Sequence, residues 1–263
     1  MKSKYLVVPN HKNLKSSNDY CLLFPLKDFC VGFLNEFSIE EIPDESYIYV
    51  NRLLDTKSIL KLKEILQAKP LKGIVFEDLG ILQIILDNQL TLETIFYPTH
   101  AITSTNTLNA YLDYAKSVGI SLDVTKEETK KMLDLAKGNV SYYLYGPLPY
   151  MYSRRSLLTN YEKNFSLKES KEKILEDEIT HKKFRAVENE YGTVLFDEKP
   201  YDGRMFLNHP KISHFIINTD ANEKPVSEKW LKDFLEGKEL ENMTDGFLNQ
   251  KTIYILPPKK EGV

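Results

Sequence analysis

The chain has 263 residues, 42% of them hydrophobic and 28% charged, with 35 Lys and Arg against 38 Asp and Glu for a net charge of -3. That is ordinary globular chemistry, and it excludes a disordered or collagen-like chain. No global basic field draws in DNA or an anionic membrane. No apolar run reaches the roughly 18 residues a membrane span needs, and the N-terminal segment has too short an apolar core for a signal peptide. A cytoplasmic protein without a membrane partner is expected.

In chain order, short segments rich in Val, Ile, Tyr and Phe fall at residues 5–8, 20–24, 47–50, 73–76, 93–97, 120–124 and 142–145. Each is followed by a helical stretch, and this alternation is the signature of parallel βα units, closed as a barrel or open as a doubly wound sheet. Ile59, Leu62, Ile65 and Leu66 share one helix face, as do Leu108, Leu112 and Ala115, and Met132, Leu133 and Ala136. Ser38-x-x-Glu41 and Thr125-x-x-Glu128 read as capping boxes that start helices. A charged segment over 162–183 predicts a solvated helix around 168–179. Residues 184–187 and 193–196 then form a hairpin insertion over about 184–197, with Gly192 supplying the positive φ of its loop. Residues 214–218 supply an eighth strand, Ser227 caps a helix that stops at Gly237, and 252–256 is a last apolar segment. No linker or repeat divides the chain, so one domain over 1–263 is expected.

In parallel α/β folds the functional side chains stand at the carboxyl ends of strands. Those ends carry Asn51-Arg52, Glu77-Asp78, Thr99-His100, Asp123 and the turn Tyr145-Gly146-Pro147. Consecutive strand residues point to opposite faces, so one of Glu77 and Asp78 faces inward while the other caps the helix at Leu79. A carboxylate whose pKa is raised by burial serves as a base. Of the five histidines, His100 and His214 fall near barrel strands, and His100 is the preferred acid or base. No His-x-x-x-His, Gly-x-Ser-x-Gly, P-loop or dinucleotide fingerprint occurs, so no metal ligand set, ATP or NAD is expected. The densest stretch, residues 142–156, packs five tyrosines with Arg154 and Arg155. It suits an anionic ligand, or else a strand with tyrosines at its rim and arginines in structural ion pairs.

This stretch resembles the signature of the collagenase-like peptidase family U32, Glu-x-Phe-x-x-Gly-Ser/Ala-Leu/Met-Cys-x-x-x-x-Gly-x-Cys-x-Leu/Ile-Ser. Aligned from Ser141, it is matched or conservatively substituted at Tyr143, Gly146, Leu148, Leu158 and Thr159, and departs at Ser141, Pro147, Pro149, Arg154 and Ser156. Asn51, Phe76-Glu77-Asp78-Leu79-Gly80, Asn106, the run from Asp123 to Glu128, and the segment from Asp245 to Tyr254 are similar to other family stretches. The resemblance implies an α/β fold, a TIM-like (β/α) barrel with a C-terminal hairpin elaboration. It also implies a protease or hydrolase of unassigned mechanism. Relatives are implicated in hydroxylating tRNA or ribosomal RNA and in ubiquinone synthesis, often with an iron–sulfur cluster on cysteines. Here the two signature cysteine positions are Pro149 and Ser156, and the only cysteines are Cys21 and Cys30, so no cofactor is expected, an iron–sulfur cluster included. The expected site has Glu77 and His100 as catalytic groups and Asn51, Asp78, Asn106, Asp123, Tyr145, Arg154 and Arg155 as ligand contacts. Its partner is a peptide or an RNA. The alternatives are an RNA-modifying relative and a non-catalytic subunit that pairs with a cysteine-bearing paralogue.

Overall fold

The structure is a computed structural model that describes residues 4–238 and 242–251. In chain order it contains β1 (Lys4–Val8), β2 (Tyr20–Pro25), β3 (Tyr47–Val50), α1 (Thr56–Ala68), β4 (Gly73–Phe76), α2 (Leu79–Asp87), β5 (Glu93–Phe96), α3 (Thr105–Tyr111), β6 (Ser117–Gly119), α4 (Lys126–Leu135) and β7 (Asn139–Ser153). There follow α5 (Leu157–Asn164), β8 (Glu172–Glu176), β9 (Lys183–Asn189), β10 (Gly192–Asp202), β11 (Ile212–Asn218) and α6 (Glu228–Leu235). Strands β1 to β7 pair in sequence, and β11 pairs with both β1 and β7, all in parallel. The result is a closed eight-stranded (β/α) barrel, as expected, with β8, β9 and β10 added antiparallel to the far half of β7. Among the described residues no helix is long and apolar enough to cross a membrane.

The apolar stripes seat the helices on the barrel. Leu62 and Leu66 of α1, Ile81, Leu82 and Ile85 of α2, and Met132 and Leu133 of α4 are all buried, each stabilising the packing by about 1.5–3 kcal/mol. The Thr125–Glu128 capping box forms as read, and Ser227 accepts the Trp230 N–H to start α6. At the barrel's lower end Glu93 gathers donors from three other strands: Lys4 at 2.9 Å, His214 at 3.2 Å and the Tyr47 hydroxyl. These bonds, with that to His214 foremost, outweigh its burial and hold the Glu93 carboxyl well below the usual carboxylate range.

Five expectations change. The sixth strand is Ser117–Gly119, not 120–124, because pairing with β5 ends at Val118 and pairing with β7 at Gly119, where the Tyr97 ring lies so close that a Cβ would meet it at 1.6 Å. Ile120, Leu122 and Val124 are buried from a loop instead, so their alternation mimics a strand. No helix follows β1 or β2, and Ser38-x-x-Glu41 closes only a turn, in which the Ser38 N–H donates to Glu41 at 2.9 Å. Pro43 lacks the N–H and the room to continue a helix. The stretch expected as a helix around 168–179 holds β8, which pairs with β9 from Glu172↔Val187 to Glu176↔Lys183. Glu162, expected in a solvated stretch, is 1% exposed and accepts the Ser170 N–H and hydroxyl. The segment 252–256 lies outside the described residues.

The fifth change shapes the site. β7 runs fifteen residues rather than the expected 142–145. Its first half is a barrel strand and its second half pairs with β10, from Tyr201↔Gly146 to Thr193↔Ser153. The strand changes direction at Gly146, whose φ is +135° and where a Cβ would lie 2.5 Å from the Asn218 carbonyl oxygen. Gly146→Ala is therefore expected to cost about 1–3 kcal/mol in urea unfolding. Gly138→Ala, whose Cβ meets nothing nearer than Leu112 at 3.4 Å, should stay within roughly 0.5 kcal/mol. Equal effects would remove the strain argument.

Candidate active site at the barrel mouth

The carboxyl ends of the barrel strands surround a cavity of about 120 Å³, room for about four waters. Its floor carries Tyr49 of β3, Glu77 after β4, Tyr97 after β5, Tyr143 of β7 and Asn218 of β11. Its roof is Val31, Gly32 and Phe33 from the β2–β3 loop, with Pro149 and Met151 of β7 and Phe196 of β10. The loop is tied down at three places. Asn51 accepts the Val31 N–H at 2.9 Å and donates to the Val31 carbonyl at 3.0 Å. Asp220 accepts the N–H groups of Leu34 and Asn35 at 2.6 and 2.9 Å. Asn189 donates to the Cys30 carbonyl and to Glu36.

Glu77 and Asp78 separate as strand alternation requires. Asp78 caps α2, accepting from Gly80 N–H at 2.7 Å and from Leu54 N–H at 2.8 Å. Glu77 faces the cavity and accepts from the Thr99 hydroxyl at 2.7 Å and the Thr99 N–H at 3.3 Å. Glu77 is half-buried against the cavity, and burial pushes its carboxyl up to about 7 against the lowering effect of those bonds and of His100. His100 stands at the rim with 42% of its side chain exposed and its Nδ1 2.8 Å from Asp123. The Asp123 bond raises the imidazole above its ordinary pKa, although burial opposes it. Burial likewise works against ionisation of Asp123, yet its bonds to His100 and Ser121 hold it below the usual range. An imidazole fixed by a carboxylate on one nitrogen can exchange protons on the other.

Of the expected site residues, the cavity brings together Glu77, His100 and Asn51, with Asp123 behind His100. The Asn51 amide is committed to the roof, and Asp78 is a helix cap. Asn106 is exposed on α3, and Arg154 and Arg155 are exposed beyond the end of β7, none of them lining the cavity. Tyr145 lies outside the barrel, packed edge-on against Trp230 and Phe234 with its hydroxyl on Asn222. Sequence reasoning missed Tyr49, Tyr97 and Asn218, and held Tyr143 only as part of the tyrosine-rich stretch. A tyrosine near a strand end reads as core, and the one available signal was the position of these residues beside the ends that carry Asn51, Thr99 and Gly146.

The model of peptidase family U32 matches residues 38–171, from ahead of β3 to beyond α5. A solved chitinase from Chromobacterium violaceum is similar at 10% identity and a TM-score of 0.33, over 76% of this chain and 82% of the chitinase chain. No curated protein matches the chain.

The Glu77 carboxyl yields a stability test. Its folded pKa is raised, so the stability it contributes is complete below the ordinary glutamate range and is lost as pH rises through about 7. Glu36 and Asp220 are also pushed up, to about 7 and about 6, but their effect cancels between parent and variant. Glu77→Gln should gain on the parent between pH 5 and pH 8, by about 1–3 kcal/mol. A difference that does not change with pH would contradict the desolvated carboxyl.

Proposed function

The chain belongs to peptidase family U32, and we propose that it is a hydrolase that works at the barrel mouth on a peptide whose side chain enters the cavity. The observation that carries this reading is the placement of a carboxylate-held imidazole at the rim of a partly enclosed cavity whose inner wall bears Glu77. Asp123 holds the proton on Nδ1 of His100, which leaves Nε2 to take a proton from water. That water adds to the amide carbon, the C–N bond breaks, and the proton passes from Nε2 to the leaving amine. Glu77 touches the substrate from inside the cavity. Arg154 and Arg155 lie outside it, so charge on a tetrahedral intermediate would meet the phenol hydroxyls of the cavity and not a guanidinium.

The reading needs no iron–sulfur cluster, and the side chains do not fit one. Cys21 sits near the start of β2 with the Lys72 ammonium 3.3 Å away. Cys30 lies beyond the other end of that strand, its buried thiol donating to the Tyr49 carbonyl at 2.9 Å. Pro149 and Ser156 stand where the family signature has cysteines, and neither is a thiolate donor.

The test is mass spectrometry of a peptide library incubated with parent, His100→Ala and Asp123→Asn proteins purified alike. His100→Ala should lose about 100-fold or more of the cleavage rate. A base must be unprotonated, so the parent's rate should rise with pH through a midpoint above 6.5. Asp123→Asn removes the group that raises that midpoint, and should move it to lower pH while reducing kcat. Cleavage equal in parent and His100→Ala, or absent from both, would overturn the reading.

A further inference from the structure

Glu77 is a carboxyl without a counter-charge. The cavity is lined by neither lysine nor arginine, and Thr99 offers Glu77 only neutral donors. His100 is the cationic group nearby, and Asp123 already holds it at 2.8 Å. The other ionisable groups that face Glu77 are Tyr49 of β3, Tyr97 after β5, Cys30 of the β2–β3 loop and Tyr152 of β7, all neutral when protonated. An isolated carboxylate in such a place is costly unless a cation arrives with the ligand.

A second observation points the same way. Tyr97 is 3% exposed and lines the cavity, yet among the described residues nothing hydrogen-bonds to its hydroxyl. A buried phenol oxygen left like this can accept an N–H from a ligand. Around it the rings of Phe33, Tyr49, Tyr143 and Phe196 also line the cavity, and aromatic faces attract a desolvated cation. An anion would face Glu77, with only the rim His100, already held by Asp123, to offset the repulsion. A purely apolar group would leave both Glu77 and the Tyr97 hydroxyl unsatisfied.

We propose that the cavity takes a primary ammonium at the end of an unbranched alkyl chain, whose peptide form is a lysine side chain, with Glu77 as counter-ion and Tyr97 as a further acceptor. The volume of about 120 Å³ admits such a chain. The inference rests on the barrel mouth being the substrate site, and not on the hydrolytic step. In the empty cavity Glu77 is pushed up to about 7, so the ammonium displaces a proton below that pH, and binding strengthens as pH rises.

The experiment is ligand-observed NMR titration of the full chain with n-butylammonium and, as the neutral isostere, n-butanol, at pH 6 and pH 8. Butylammonium should bind about tenfold more tightly at pH 8 than at pH 6, following the ionised fraction of Glu77. Butanol should bind more weakly and without that dependence. Glu77→Gln should lose about tenfold or more of butylammonium affinity at pH 8, and Tyr97→Phe a smaller part of it, with both variants checked for cooperative melting. Butanol binding as well as butylammonium at pH 8, no dependence on pH, or no saturable butylammonium binding would each overturn the assignment. Butylammonium binding without peptide cleavage would sink the hydrolase reading alone. Cleavage of lysine-free peptides without butylammonium binding would sink the ligand class alone.

Discussion

At Gly146 a single strand leaves a closed barrel and enters a second sheet, with φ at +135° and the Asn218 carbonyl too close for any side chain. Before that residue β7 is paired in parallel with β6 and β11, and after it β7 is paired antiparallel with β10. The mouth of the barrel is roofed for this reason. Pro149, Met151 and Phe196 reach over the strand ends only because β7 carries its new partner there. The β2–β3 loop completes the roof, and Asn51, Asp220 and Asn189 fix it through its own backbone. An open barrel mouth becomes a partly enclosed cavity in which solvent screens charge less.

The consequence is visible in two glutamates of one barrel. Glu93, at the amino ends of the strands, is met by Lys4, Tyr47 and His214, and its carboxyl is held down. Glu77, at the carboxyl ends, is hydrogen-bonded by Thr99 and has only His100 at the rim as a nearby cation, and burial pushes it up. The lower cluster ties β1, β3, β5 and β11 to one carboxylate and completes its own charge balance. The upper carboxyl is left with spare bonding capacity beside an unpaired phenol. The contrast between the two carboxyls supports placing the proposed chemistry at the upper end, where parallel barrels carry their functional side chains.

Much of the scaffold was legible because local patterns and tertiary pairing agree there. Strands at 47–50 and 73–76 are short, β-branched and aromatic, and each ends where its neighbour ends. At 120–124 the alternation was real but served a buried loop, since pairing decides strand limits and ends at Gly119. β8 was read as a helix because its charges hide a short edge strand whose order comes from β9. Strand ends and the alternation of faces placed Glu77 and His100 at the cavity, while Asp78, expected as a ligand contact, caps α2. Tyr97 and Asn218 were missed, because their importance lies in what is missing around one and what packs on the other. Arg154 and Arg155 drew attention by adjacency, yet the turn after Ser153 carries both to the surface.

The account stands on Glu77 being a desolvated carboxyl without a partner cation. Carbon-13 NMR titration of its side-chain carboxyl in the full chain, assigned by comparison with the Gln variant, reads that property directly. A midpoint near 7 is the predicted result. A midpoint near the ordinary glutamate value of about 4.3 would mean that solvent or an unrecognised cation reaches Glu77, and would contradict both its desolvation and the ligand assigned to it.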